Sequence, residues 1–103
     1  MENSSTKLFE KMYRMLHEIW EQTQDEDLRI YLSDANPLFC DDGKSLDPVV
    51  SEDFDKLYNE KQNCGIKDYD FILLYLEKLD SYYGDIKKYF KSIPRDEFDS
   101  RKN

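Results

Sequence analysis

Glycine and proline are scarce in this chain of 103 residues, which contains three of each. Tight turns between β-strands depend on these two residues, so the sequence has little material for hairpins. β-Branched residues are also few, and they do not alternate with polar residues as a half-buried strand requires. The sequence therefore predicts an all-α fold. Its length is typical of one domain, and we expect a single domain over residues 1–103 with frayed ends near 1–4 and 100–103.

Long apolar runs are absent as well. The longest unbroken run, Phe71–Leu76, has six residues, whereas a membrane-spanning helix needs about 20. The first residues, Met1–Ser5, contain no basic stretch followed by an apolar one, so we expect no signal peptide. These absences predict a cytoplasmic protein that does not bind membranes.

Cysteine and histidine, the usual ligands of zinc, are few. The two cysteines, Cys40 and Cys64, lie far apart in the sequence, and the sets of Cys and His that hold zinc are missing. An EF-hand loop centred on Gly43 would place Leu38 and Cys40 where calcium requires oxygen ligands. We therefore expect no metal and no cofactor, and two free cysteines that are buried.

His17 is the only histidine and the only residue that suggests general-base catalysis, with Glu18 or Glu21 as its partner. Neither cysteine stands in a recognisable catalytic setting, and no nucleophile motif occurs. A single histidine on a helix beside Tyr13 and Trp20 is more often packed against those rings. The chain is therefore predicted not to be an enzyme.

The most regular pattern is an apolar heptad over Asp68–Ile93. Apolar residues recur at alternating spacings of four and three, at Ile72, Leu76, Leu79, Tyr83, Ile86, Phe90 and Ile93. Aromatic residues widen this stripe at Phe71, Tyr75, Tyr82 and Tyr89. Because a helix has about 3.6 residues per turn, the spacing predicts one helix from an Asp68 cap to Ser92. Gly84 interrupts no spacing, so its replacement by alanine is expected to stabilise the helix by about 0.5–1 kcal/mol.

Two shorter helices are predicted in the first third of the chain. The first begins at the capping residues Ser4–Thr6 and ends near Gln22. The second is capped by Asp25 and ends before Pro37. An alternative is one long helix with a polar waist. The apolar stripe of the second helix is narrow and consists of Leu28, Tyr31, Leu32 and Ala35.

Two further helices follow the loop Pro37–Asp47. One begins at Asp47-Pro48, where a capping residue precedes proline, and ends at Gly65. The other is short, follows Pro94 and carries Phe98. The four main helices and the short carboxyl-terminal one are predicted to form an up-and-down antiparallel bundle.

The net charge of −8 is concentrated in the middle of the chain. Residues 18–60 include thirteen acidic and three basic residues, whereas the segments 1–17 and 61–103 each have a net charge of +1. An acidic surface attracts a basic protein and repels nucleic acid. We therefore expect a basic protein partner and no nucleic acid. The expected contacts are Asp25, Glu26, Asp27, Tyr31, Asp34, Asp41 and Asp42.

A small acidic interaction protein is the leading hypothesis. In size, charge and helicity the chain is similar to the helical immunity proteins and antitoxins that neutralise nucleases, although it matches none of their motifs. A nucleic-acid mimic that inhibits a DNA-binding enzyme is an alternative, but it needs regularly spaced carboxylates. These only begin to appear, at Glu18, Glu21, Asp25 and Glu26. A second alternative is an oligomeric structural module built on the long helix.

Overall fold

A computed structural model describes residues 4–35 and 48–101, which contain seven α-helices and no strand. The four helices of ten residues or more are α1 (Ser4–Thr23), α2 (Glu26–Ala35), α3 (Pro48–Lys61) and α4 (Asp68–Lys78). Three short helices follow: α5 (Asp80–Tyr83), α6 (Lys87–Lys91) and α7 (Arg95–Ser100). The predicted all-α fold is therefore confirmed. None of these described helices combines the length and the apolarity that a membrane span requires.

Local signals set several helix ends as predicted. The Asp25 carboxylate accepts a hydrogen bond from the backbone N–H of Leu28 at 3.1 Å, so Asp25 caps α2. Helices α1 and α2 are separate, and Gln24 between them has a φ of 55°. Helix α3 continues into the 3₁₀ turn Gln62–Cys64 and ends at Gly65, which has a φ of 70°. Glycine is the usual residue at such a left-handed position.

The predicted continuous helix from Asp68 to Ser92 is wrong. Asp68 is the first residue of α4, and Lys67 precedes it as the capping position without a side-chain hydrogen bond, so Asp68 is not the cap. The helical path stops at Gly84, whose φ of 87° and ψ of −169° lie in a region open almost exclusively to glycine. Helix resumes at Lys87. The expectation that Gly84→Ala stabilises the chain is reversed, because alanine does not tolerate this conformation.

Most of the heptad positions are nevertheless buried. Six of the seven have exposed fractions of 9% or less: Ile72, Leu76, Leu79, Ile86, Phe90 and Ile93. Tyr83 is half-buried. Tyr82, which was predicted to widen the same face, is 83% exposed. The apolar spacing thus predicted burial correctly and helix continuity incorrectly.

An aromatic cluster joins α1, α3 and α4. The ring of Phe54 is fully buried and lies edge-on to Phe9, Phe71 and Tyr75, with centroid distances of 5.1, 5.2 and 4.9 Å. Tyr58 contacts Phe71, whereas Phe54 reaches on to Tyr75, so α3 and α4 run antiparallel. The antiparallel arrangement of all four main helices stays a prediction.

A second aromatic cluster fixes the carboxyl-terminal helices on α4. The rings of Tyr69, Phe90 and Phe98 lie 5.2 to 5.6 Å apart. The Tyr69 hydroxyl also donates a hydrogen bond to the backbone carbonyl of Ile93 at 2.6 Å. The predicted short last helix is confirmed as α7, and Phe98 on it is 1% exposed. The segment after the break is therefore packed against α4. The Cα radius of gyration of 12.7 Å is close to the value of about 13 Å expected for a compact chain of 100 residues.

Candidate protein-binding surfaces

Two acidic residues at the ends of α2 contact the chain that surrounds Gly84. The Tyr83 hydroxyl donates a hydrogen bond to Asp34 Oδ2 at 2.9 Å. Hydrogen bonding to the Tyr89 hydroxyl, and then to the backbone N–H of Leu28, lowers the pKa of the Asp25 carboxyl. The same contact with Asp25 raises the pKa of Tyr89 to about 12. Asp25 and Asp34 therefore stabilise the fold in addition to carrying charge.

The other two described acids among the predicted contacts are exposed. Glu26 forms an ion pair with Arg29, and the hydrogen bond from Arg29 lowers the pKa of the Glu26 carboxyl. Asp27 forms no ion pair within residues 4–35 and 48–101. Its side chain lies against Gly84, where an added Cβ would be 2.7 Å from Asp27 Oδ2. Asp27 is thus the one of the four described acids whose carboxylate is exposed and not paired with a cation.

Tyr31 is part of the core. Its side chain is fully buried, its hydroxyl lies 3.0 Å from that of Tyr75, and its ring contacts Tyr83 at 5.2 Å. Burial raises the pKa of both the Tyr31 and the Tyr75 hydroxyls well above their ordinary value. The prediction that Tyr31 offers an aromatic contact to a partner is therefore wrong. Its place in the apolar stripe Leu28, Tyr31, Leu32 and Ala35 already indicated burial. Asp41 and Asp42 lie outside the described residues.

Helix α3 adds three exposed acids that the predicted contacts left out: Glu52, Asp53 and Glu60. None of them forms an ion pair in the described ranges of the chain. By contrast, Asp55 is half-buried and accepts a hydrogen bond from the Ser5 hydroxyl at 2.6 Å. These acids were counted in the acidic surplus of residues 18–60, but they were not named as contacts. Their positions relative to Phe54 and Leu57 in the helix could have distinguished the exposed acids from the half-buried Asp55.

A cleft of about 420 Å³ lies between α3 and the α4–α5 segment. Its lining is apolar or aromatic at Val50, Leu57, Tyr75, Leu79, Tyr82 and Tyr83, and charged at Asp53, Lys56, Glu60 and Lys78. The volume falls in the range of about 300–1,000 Å³ that is usual for binding pockets. Sequence reasoning missed the cleft because it assigned Tyr82 to the buried face of a continuous helix.

The structure also describes two other residues that the sequence singled out, His17 and Cys64. His17 packs beside Tyr13 and Trp20, with ring distances of 6.0 and 5.7 Å, and its Nδ1 lies 3.0 Å from Glu21. Within residues 4–35 and 48–101, no group of three or more His, Cys, Asp or Glu side chains is placed to hold a metal ion. Cys64 is free but exposed, so its predicted burial is wrong.

Two surfaces of the described chain therefore remain as candidates for binding. One consists of the exposed carboxylates of α2 and of Glu52 on α3, and the other is the cleft between α3 and α4–α5, which Asp53 and Glu60 line. No family model, curated protein or solved structure matches this chain.

Proposed function

We propose that this chain is a non-enzymatic binding protein that recognises a basic protein through the carboxylates of α2 and α3. An immunity protein or antitoxin that neutralises a basic toxin is the class of protein that fits this proposal. The observation that supports it most is the excess of acidic residues on these helices. Together α2 and α3 contain seven acidic and three basic residues, and five of the acids are exposed: Glu26, Asp27, Glu52, Asp53 and Glu60.

The physical argument concerns carboxylates that have no cation of their own. Asp27 and Glu52 are exposed and form no ion pair within the described ranges. A lysine or arginine of a partner can form charge-assisted hydrogen bonds with such groups. Before contact, the negative surface accelerates encounter with a basic protein and disfavours partners of like charge. Asp27 and Glu52 are therefore the main proposed contacts, and Glu26, which pairs with Arg29, joins them together with Asp41 and Asp42.

The packing of the helices supports a common surface. Helix α2 contacts α3 as well as α1 and α5. An antiparallel bundle of the four main helices belongs to the same proposal, because it would hold α2 and α3 side by side. Asp25 and Asp34 are left out of the proposed contacts, since their carboxylates are hydrogen-bonded within the chain.

The test begins with affinity capture from the native host and identification of the bound protein. The association rate is then measured with purified proteins while ionic strength rises from about 0.01 to about 0.1 M, which shortens the Debye length from about 30 to about 10 Å. We expect association to slow as salt increases. The double reversal Asp27→Lys/Glu52→Lys should reduce the low-salt rate by about tenfold or more.

The matched control is Asp96→Lys/Glu97→Lys on α7, which changes the net charge by the same amount at two exposed positions. This control should retain most of the association rate. Equal effects of the two double variants would show that only the total charge matters, and the proposed surface would be wrong. An unchanged rate and salt dependence in Asp27→Lys/Glu52→Lys would also contradict the proposal.

A further inference from the structure

The charges around the α3/α4–α5 cleft differ from those on the rest of α3. Two carboxylates, Asp53 and Glu60, and two ammonium groups, Lys56 and Lys78, line this cleft. All four side chains are exposed, and none forms an ion pair within residues 4–35 and 48–101. The rim of the cleft is therefore electrically balanced, although the whole chain has a net charge of −8.

The apolar part of the cleft includes a ring that faces water. Tyr82 is 83% exposed, whereas Val50, Leu57 and Leu79, which line the same cleft, are at most 9% exposed. The backbone N–H of Tyr82 donates a hydrogen bond to the Leu79 carbonyl at 2.9 Å, so a helical turn fixes the position of its Cα. Exposed tyrosines beside apolar clefts are typical of contact residues, because the ring adds apolar area and the hydroxyl stays hydrated.

We propose that this cleft is the contact surface of a homodimer with two-fold symmetry. Tyr82 of each copy packs against the apolar floor of the other copy's cleft. The carboxylates Asp53 and Glu60 of one copy face the ammonium groups of Lys56 and Lys78 of the other.

Charge complementarity selects a second copy as the occupant. In a two-fold contact the same patch lies on both sides, so the patch must be complementary to itself. A rim with two anions and two cations meets this condition when the two-fold axis brings the anions of one copy opposite the cations of the other, whereas an acidic patch would repel its own copy in any orientation. The basic protein proposed above is a poorer occupant of this cleft, because Lys56 and Lys78 would repel it. The dimer contact and the carboxylates Asp27 and Glu52 are therefore separate surfaces.

Sedimentation velocity of the full chain, without any partner, tests the proposal. The mass should rise from 12.4 kDa toward twice that value as protein concentration increases. Tyr82→Ser should raise the dissociation constant of the dimer by about thirtyfold, as expected for a central aromatic contact. The control Asp96→Lys/Glu97→Lys should leave dimerisation in place.

A charge exchange tests the pairing of the two copies. Lys56→Glu/Lys78→Glu makes the rim wholly acidic, and Asp53→Lys/Glu60→Lys makes it wholly basic. Each variant alone should remain monomeric, because its own rim repels it. An equimolar mixture should form a heterodimer, and adding Tyr82→Ser to both chains should weaken that heterodimer. Circular dichroism confirms that each variant is folded.

Three results would overturn the dimer. They are a natural chain that stays at 12.4 kDa at millimolar concentration, a dimer that Tyr82→Ser does not weaken, and a dimer that persists in both charge variants. If the cleft bound a peptide of unrelated sequence while the chain stayed monomeric, the dimer would be overturned in the same way as by the first result. Because no partner is present, failure of this experiment is separate from failure of the proposed function.

Discussion

Two long stretches of this chain show helical apolar spacing, and only one of them folds as a single helix. Residues Ser4–Thr23 form α1 without a break, whereas Asp68–Ile93 is divided among α4, α5 and α6. Both stretches nevertheless contribute side chains with no exposed surface, among them Met12, Leu16, Ile86 and Phe90. Apolar spacing is therefore a reliable sign of burial and a weaker sign of an unbroken helix.

The stretch Asp68–Ile93 is divided at Leu79, between α4 and α5, and at Gly84, which is the clearest physical difference from α1. Helix α1 contains no glycine, whereas Gly84 adopts a φ of 87° and approaches Asp27 at the start of α2. Before Gly84, the Tyr83 hydroxyl is hydrogen-bonded to Asp34 of α2, and after it Tyr89 interacts with Asp25, the residue that caps α2. The turn at Gly84, which the heptad pattern did not predict, is thus flanked by residues that contact α2 or its cap.

The largest expected effects test whether the two stretches belong to equally buried parts of the core. Phe90→Ala, in the divided stretch, should lower the free energy of unfolding by about 3–5 kcal/mol, and Leu16→Ala, in α1, by about 2–5 kcal/mol. Both side chains have no exposed surface, so each truncation loses apolar burial and leaves a cavity. Urea unfolding measures both values.

Tyr82→Ala is the matched control for these truncations. Tyr82 is 83% exposed, so its loss at low protein concentration should change the free energy of unfolding by less than about 0.5 kcal/mol. A cost for Phe90→Ala as small as that of the control would show that the divided stretch is not part of the core.

The next effect concerns Gly84, the residue at which the second stretch departs from a continuous helix. Gly84→Ala should lower the free energy of unfolding by about 1–3 kcal/mol, because alanine is strained in this backbone region. The new Cβ would also lie 2.7 Å from Asp27 Oδ2, so that side chain must move. Gly65→Ala is the control for positive φ without crowding, since nothing lies within 4 Å of its Cβ, and it should cost about 1 kcal/mol. If Gly84→Ala raised the melting temperature, that result would contradict the break at Gly84 and support a continuous helix.

The smallest effect compares the starts of α2 and α4. Asp25→Ala removes the carboxylate that caps α2 and should cost about 0.5–2 kcal/mol. Asp25→Asn should cost less, since asparagine also caps helices well. Asp68→Ala should cost less than Asp25→Ala, because no side-chain cap is present at the start of α4. A larger loss of stability for Asp68→Ala than for Asp25→Ala would contradict the assignment of a side-chain cap to α2 and of none to α4.

The same position gives a pH dependence of known sign. The pKa of Asp25 is lower in the folded chain than its ordinary value, mainly because of the Tyr89 hydroxyl. The unfolded chain therefore binds more protons between the two values, and stability falls as pH falls through the folded pKa of Asp25. Above the ordinary pKa the contribution is fully present. Urea unfolding between about pH 6 and about pH 2 should show a shallower acid loss in Asp25→Asn. An unchanged acid profile in that variant would show that Asp25 does not contribute.

The features that were predicted correctly depend on neighbours close in the chain. Asp25 caps α2 through a backbone N–H three residues away, and Gly65 ends the turn after α3 at a left-handed position. The heptad spacing identified Ile86 and Phe90 as buried. Each of these signals acts within a few turns of helix, so the all-α class, several helix ends and most of the core positions follow from local sequence.

The candidate surfaces depended on residues far apart in the chain. Tyr31 is buried with Tyr75, which lies 44 positions away, and Asp34 is bonded to Tyr83, which lies 49 positions away. The acidic surplus was visible in the sequence, but these pairings separate the carboxylates that stabilise the fold from those that remain exposed. Tyr82 lies just before the break at Gly84 and lines a cleft together with residues of α3. Local spacing carries no information about such distant contacts, so they emerge from the packing of the whole chain.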